Sequence, residues 1–272
     1  MNQMDGQPQD TQPKESFFKK ITYTQGIYPI LNATPIQNPS RFYAVPILGI
    51  LVKFILLIPV YLEMIFVGIW WGIAVMLINP FVVLFTGKYW RSAYSINLGY
   101  LRMTTKISFY LFGLTNKYPG FNLTINDNYS LDIPYPENPR KLFVIPLIGI
   151  LIRTILLIPY FIFGSIVSQA AAMGTFVLAW AVVLFKGRYP EGIFELARDS
   201  IRVSISTNAY MTGLSDRYPS FYISMNHDKI KIILIAIAII FSGFNFTSSG
   251  TKTKPSEAPI QPKEIQTSSF YN

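Results

Sequence analysis

The feature that most constrains this 272-residue chain is that it repeats itself. Residues 38–125 align with 138–225 without a gap, at an offset of 100, and about 25 of the 88 pairs are identical. Asn38-Pro39 returns as Asn138-Pro139, and Ile55-Leu56-Leu57-Ile58-Pro59 returns unchanged at 155–159. Gly113-Leu114-Thr115-Asn116-Lys117-Tyr118-Pro119 returns as Gly213-Leu214-Ser215-Asp216-Arg217-Tyr218-Pro219. Matches of proline, glycine and charge at one fixed offset mark a tandem duplication of a structural unit. The chain divides accordingly into a polar N-terminal segment 1–37, a repeat 38–125, a linker 126–137, a repeat 138–225, an apolar segment 226–246 and a polar tail 247–272.

Each unit opens with about 45 largely apolar residues, 42–86 and 142–185. A bilayer-spanning helix needs about 20, so each block is too long for one span and long enough for two. The spacing predicts transmembrane helical hairpins, with helices near 42–65 and 68–86, then 142–164 and 167–185. The tips fall at Gly68 and Gly72, and at Gly164, Ser165 and Gln169. The apolar run Ile230–Phe246 adds a fifth, C-terminal span. Composition agrees: 51% of residues are hydrophobic and 14% charged, against about 25% charged in an ordinary soluble domain. That leaves too little polar surface for a water-soluble particle and too much apolar mass for a disordered one. The predicted fold class is all-α integral membrane.

Beyond each hairpin the period changes. Residues 90–114 and 190–214 read as amphipathic helices. In the second, Ile193, Phe194, Ala197, Ile201 and Ile205 form one stripe, and Glu195, Arg198, Asp199, Arg202 and Ser206 the opposite face. Such helices lie in the headgroup plane; the alternative is packing on the end of the bundle. The linker 121–137 alternates around Asn126-Asp127-Asn128, the signal of a small β-hairpin, and residues 22–36 offer a similar extended piece.

The net charge of +9 is distributed by segment. Seven Lys and Arg fall in 86–141 and seven in 186–231, four precede residue 42, and the hairpin tips hold none. By the positive-inside rule the N-terminus and both linkers are cytoplasmic and the tips face outward in the cell membrane. Basic residues flanking spans serve topology and attract anionic lipid headgroups, so the charge does not call for nucleic acid. Trp70, Trp71, Trp90, Tyr89 and Tyr189 fall where helices meet the predicted interfaces, as an aromatic belt requires.

Few side chains invite a chemical reading. Lys53 and Arg153 occupy equivalent positions inside the first apolar helix of each repeat, and Glu63 is the one acid in either apolar block. An intramembrane charge needs a partner or a water path. For Lys53 and Arg153 the favoured reading is snorkelling to headgroup level, with a paired site at the repeat interface as the alternative. Glu63 could serve a proton or cation relay, or an ion pair with Lys53 or Arg153. Gly87-Lys88-Tyr89 and Gly187-Arg188-Tyr189 read as helix C-caps with a basic neighbour complementing the helix dipole. Arg102 with Arg202, and Asp216-Arg217-Tyr218-Pro219, complete a repeat signature read as structural. His227 stands beside Asp228 in a polar linker, without metal-ligand spacing or a catalytic triad. Cysteine is absent. No catalytic, metal or cofactor site is expected.

The order Tyr-Pro-Glu-Asn-Pro-Arg (135–140), Arg153 before Ile155-Leu156-Leu157-Ile158-Pro159, Val183-Leu184-Phe185 with Gly187-Arg188-Tyr189-Pro190, then Arg202, Tyr210 and 214–221 resembles a prokaryotic membrane family, domain of unknown function 4389. The resemblance extends over both copies and is better in the second; the first has Trp90 for the proline, Asn116 for the acid and Gly120 before Phe121. It implies a multi-pass bacterial or archaeal membrane protein and carries no assigned activity. The expected role is non-enzymatic: a structural, accessory or scaffold component that meets lipid and either partner membrane proteins or further copies of itself. The rival is a small transporter or channel subunit in which Lys53, Glu63 and Arg153 line a polar path.

Overall fold

A computed structural model describes residues 29–125, 127–141, 145, 148–224 and 228–248. The described chain is mainly helical and repeats its elements. Repeat 1 holds α1 (Leu48–Trp71), a π-helical segment (Gly72–Ile78), α2 (Asn79–Thr86) and α3 (Arg91–Leu111). Repeat 2 holds α4 (Ile148–Met173), a π-helical segment (Gly174–Ala179), α5 (Trp180–Lys186) and α6 (Glu191–Met211), and α7 (Asp228–Ser248) follows. Two short strands, β1 (Ile30–Ala33) and β2 (Tyr129–Asp132), complete it.

The predicted hairpins are not what forms. Helical torsions continue through Gly72 and Asn79, so Leu48–Thr86 is one unbroken stretch of 39 residues, and Ile148–Lys186 is another. Both are long and apolar enough to cross a membrane. At about 1.5 Å per residue each runs roughly 58 Å, nearly twice a bilayer's ~30 Å hydrocarbon core. Gly68 and Gly72 lie inside the helix because glycine lowers helix propensity by only about 1 kcal/mol, and neither carries the positive φ of a turn. The turns come later. Gly87 (φ 71°) and Gly187 (φ 64°) take the left-handed conformation and return their N–H groups to Val83 O (2.8 Å) and Val183 O (2.9 Å). The first long stretch opens after a tight fold-back: a Cβ on Gly49 would stand 2.3 Å from Tyr43 O, so only glycine fits there.

Each long stretch runs antiparallel to the amphipathic helix of its own repeat. In repeat 1, Lys53 lies 5.6 Å from the Tyr110 ring, Trp71 stacks on Tyr100 at 4.8 Å and donates to Asn97 Oδ1 (2.9 Å), and Asn79 Oδ1 accepts the Trp90 N–H (3.0 Å). The two repeats then clasp each other reciprocally. Tyr89 OH donates to Thr212 O (3.1 Å) at the end of α6, and Tyr189 OH donates to Phe112 O (3.1 Å) at the end of α3. Equivalent tyrosines therefore bond each other's repeat, a pseudo-two-fold contact inside one chain. Both are buried, which removes them from the predicted aromatic belt; Trp71, held by Asn97, leaves it too.

The amphipathic helices pack against the rest of the protein. Fourteen of the 21 residues of α6 are buried, Asp199, Arg202 and Ser206 among them. The face read as polar is internal because it finds partners there: Asp199 Oδ2 accepts the Ser224 N–H (2.6 Å), its Oδ1 meets Arg198 (3.1 Å), and Arg202 donates to Tyr222 O. α7 packs on α4 and α6. Lys231 holds it in place, donating to Glu195 Oε2 (2.5 Å) and Ser224 O (2.6 Å).

The β-hairpin expected within 121–137 does not close on itself. β2 pairs instead with β1, antiparallel, with Leu31 opposite Leu131. The residues that would have made its turn are used elsewhere: Asp127 accepts from Thr115 (2.7 Å), and Asn128 O accepts the Thr34 N–H (3.0 Å). Most of the N-terminal segment, the polar tail and His227 lie outside the described residues.

Candidate functional site

The positions singled out from sequence divide into a matched pair of cation sites and one acid that lies apart. Lys53 and Arg153 sit in the second turn of α1 and α4, and only 5% and 1% of their surfaces are exposed. They do not snorkel. Each points at the C-terminus of its repeat's amphipathic helix, where unpaired carbonyls and the negative dipole end await a cation. Arg153 donates to Tyr210 O and to Ser215 O (3.2 Å), pairs with Asp216 Oδ1 (2.5 Å), and lies 4.9 Å over the Tyr210 ring. Lys53 reaches Leu111 O at 3.5 Å and lies 5.5 Å and 5.6 Å over the Tyr43 and Tyr110 rings.

The following loop supports both sites in the same way. Asn116 Oδ1 accepts the Ser40 N–H (3.0 Å), and Asp216 Oδ2 accepts the Arg140 N–H (2.6 Å). Tyr118 OH and Tyr218 OH donate to Leu56 O (2.9 Å) and Leu156 O (3.0 Å), three residues before Pro59 and Pro159. Those prolines lack an N–H, which leaves the carbonyls of Ile55 and Ile155, one residue before the tyrosine-bonded ones, without their helical donor. Gly113 (φ 71°) and Gly213 (φ 74°) close the helix ends beside the cations. The Thr115 and Ser215 hydroxyls accept the N–H groups of Lys117 and Arg217, each at 3.1 Å. Pro119 and Pro219 are buried, whereas Lys88, Arg188 and Arg217 are exposed. Arg102 is half-buried, unlike buried Arg202.

Glu63 joins neither cation. It lies within electrostatic reach of Lys106, whose ammonium donates to Asn122 O (2.5 Å). Glu63 Oε2 is buried without a hydrogen-bond partner among the described residues. Lys53, Glu63 and Arg153 thus do not converge on one path. What sequence reasoning missed is the second internal network, Glu195–Lys231 and Arg198–Asp199–Arg202. Its residues were visible as the polar stripe of 190–214, but a stripe does not say whether water or protein lies against it.

Cavities flank both cations at the seam between repeats. Beside Arg153 the space is about 30 Å³, with Val75, Asn79, Tyr89 and Gly213 in its walls. Beside Lys53 it is about 180 Å³, with Asn116, Tyr43, Phe176 and Trp180 in its walls. Among the described residues no cluster of His, Cys, Asp and Glu could hold a metal ion.

Helical architecture with two long apolar helices is the class this geometry defines. A family model described as domain of unknown function (DUF4389) matches residues 148–222, from the start of α4 through the loop beyond α6. The match supports that family for the second repeat, one copy rather than the two expected. The unmatched first repeat is the one with Trp90, Asn116 and Gly120 at signature positions. No curated protein and no solved structure matches the chain.

Proposed function

We propose that the chain is a membrane-embedded accessory protein, a non-enzymatic scaffold whose long helices present apolar faces to lipid. The observation that carries this reading is its inside-out distribution of polarity. Along Leu48–Thr86 and Ile148–Lys186 most exposed side chains are apolar, up to Phe85 at 80% and Phe185 at 78% exposure, while Lys53 and Arg153 on the same helices are buried. A patch of that extent marks a surface covered by lipid or protein. Basic residues stand at both ends of each stretch (Arg41 and Lys88; Lys141 and Arg188), where they meet the anionic headgroups at the two membrane surfaces. Ile69 and Ser165, far from those ends, then lie within the bilayer. The apolar face of α7, with Ile233 and Ile240 exposed, joins the same lipid-facing surface. A scaffold fits better than a transporter because Lys53 and Arg153 cap helices in separate cavities and Glu63 lies in neither.

Reconstitution in proteoliposomes tests the role. Wild type, Glu63→Gln and Lys53→Met are expected to leave proton and solute leak at the level of empty vesicles; a flux in wild type that either variant abolishes overturns the scaffold reading. Single cysteines at 69 and 165, in a chain otherwise free of cysteine, test placement: labelling by a membrane-impermeant reagent from the cytoplasmic side refutes it.

A further inference from the structure

The duplication supplies an internal control for what the Lys53 site lacks. In repeat 2 the buried cation has a counter-ion, the half-buried Asp216 carboxylate at 2.5 Å. In repeat 1 the same loop position is Asn116, which keeps the backbone task of its counterpart, accepting the Ser40 N–H, but brings no charge. Lys53 is left with one long hydrogen bond to Leu111 O and two tyrosine rings. Among the described residues no carboxylate lies within ion-pair distance of it. The space beside it is six times larger than beside Arg153, about 180 Å³ against 30 Å³. Ile50, Phe176, Ala179 and Val183 supply apolar wall, and Ser40 and Asn116 supply polar groups.

We infer that the cavity beside Lys53 binds a small monocarboxylate with a compact apolar body, whose carboxylate supplies the charge that Asp216 supplies in repeat 2. An isolated buried ammonium is costly, and a carboxylate against it forms the strong, charge-assisted kind of hydrogen bond. The size fits: an apolar cavity of about 150 Å³ holds benzene, so a benzene-sized body with a carboxylate directed at Lys53 fills this one. Carboxylate is the anion of choice because the fold already accommodates one at the equivalent position. The ligand bridges the repeats, since Lys53 and Asn116 come from the first and Phe176, Ala179 and Val183 from the second.

The test is calorimetric titration of the full chain in detergent and chloride-free buffer, with benzoate and its neutral isostere benzamide as probes. The expected result is saturable 1:1 benzoate binding, with benzamide at least tenfold weaker. Asn116→Asp, which restores the repeat 2 arrangement in repeat 1, is expected to weaken benzoate at least tenfold while raising the thermal midpoint. Lys53→Met should abolish benzoate binding. The inference is overturned if wild type binds benzoate no more tightly than benzamide, if Asn116→Asp binds as wild type does, or if equimolar chloride displaces benzoate.

Discussion

Replacing Arg153 with methionine isolates the energetic difference between the two cation sites. The side chain is nearly isosteric along its stem, so little cavity is created, while the guanidinium is lost. Three groups then lose a partner: the carbonyls of Tyr210 and Ser215 and the carboxylate of Asp216. Removing one member of a buried pair costs about 3–5 kcal/mol, because the other charge is stranded. At about 2–4 °C per kcal/mol for a domain of this size, the thermal midpoint in detergent should fall by roughly 6–20 °C. Lys53→Met removes one 3.5 Å hydrogen bond and strands no carboxylate among the described residues, so its cost should be about 1 kcal/mol or less. Arg153→Met combined with Asp216→Asn should recover part of the loss, with a coupling on the order of 1–3 kcal/mol. The readout is reversible denaturation of these three variants, the Asp216→Asn single variant and wild type, followed by circular dichroism. If Lys53→Met costs as much as Arg153→Met, or if the double variant shows no coupling, the account of Asp216 as the charge partner that repeat 1 lacks is wrong.

Tyr89→Phe and Tyr189→Phe each remove a hydroxyl that bonds the other repeat, and each should cost about 1–3 kcal/mol in the same denaturation assay, since a buried carbonyl loses its donor. Burial pushes both phenols well above their ordinary range. Above about pH 10 the unfolded chain releases those protons and the folded chain does not, so stability should fall with rising pH; absorbance titration at 295 nm should show a tyrosine class that ionises only on unfolding. Gly49→Ala places a Cβ 2.3 Å from Tyr43 O and should cost about 1–3 kcal/mol or more, measured as a lowered midpoint; a neutral result would refute the tight fold-back before α1. Lys231→Met removes the ammonium that bonds Glu195 and the Ser224 carbonyl and should raise hydrogen exchange selectively in α7; protection unchanged there would show that Lys231 does not hold the helix.

Much of the fold was legible because duplication, apolar blocks and the amphipathic period are local properties of the chain. The repeat register at offset 100 recurs in the structure at equivalent positions: Tyr118 with Tyr218, Gly87 with Gly187, Lys53 with Arg153. Helix C-caps at Gly87 and Gly187 were readable because glycine's access to positive φ is intrinsic to the residue. The absence of a turn at Gly68 or Gly72 was not readable, since a glycine permits a turn without requiring one. A hairpin and a straight helix bury different neighbours, and those neighbours lie elsewhere in the chain.

The candidate site shows the same division. Sequence alone marked Lys53, Glu63 and Arg153 as out of place, because a charge in an apolar run needs a reason wherever it sits. It also showed that Asn116 stands where the second copy has an acid. Only the tertiary structure decided what that difference means. The C-termini of α3 and α6 reach the two cations from some 60 residues away, and part of the wall of each cavity comes from the opposite repeat. Counter-ion, helix dipole and cavity volume at Lys53 are set by distances between segments, and no local pattern encodes them.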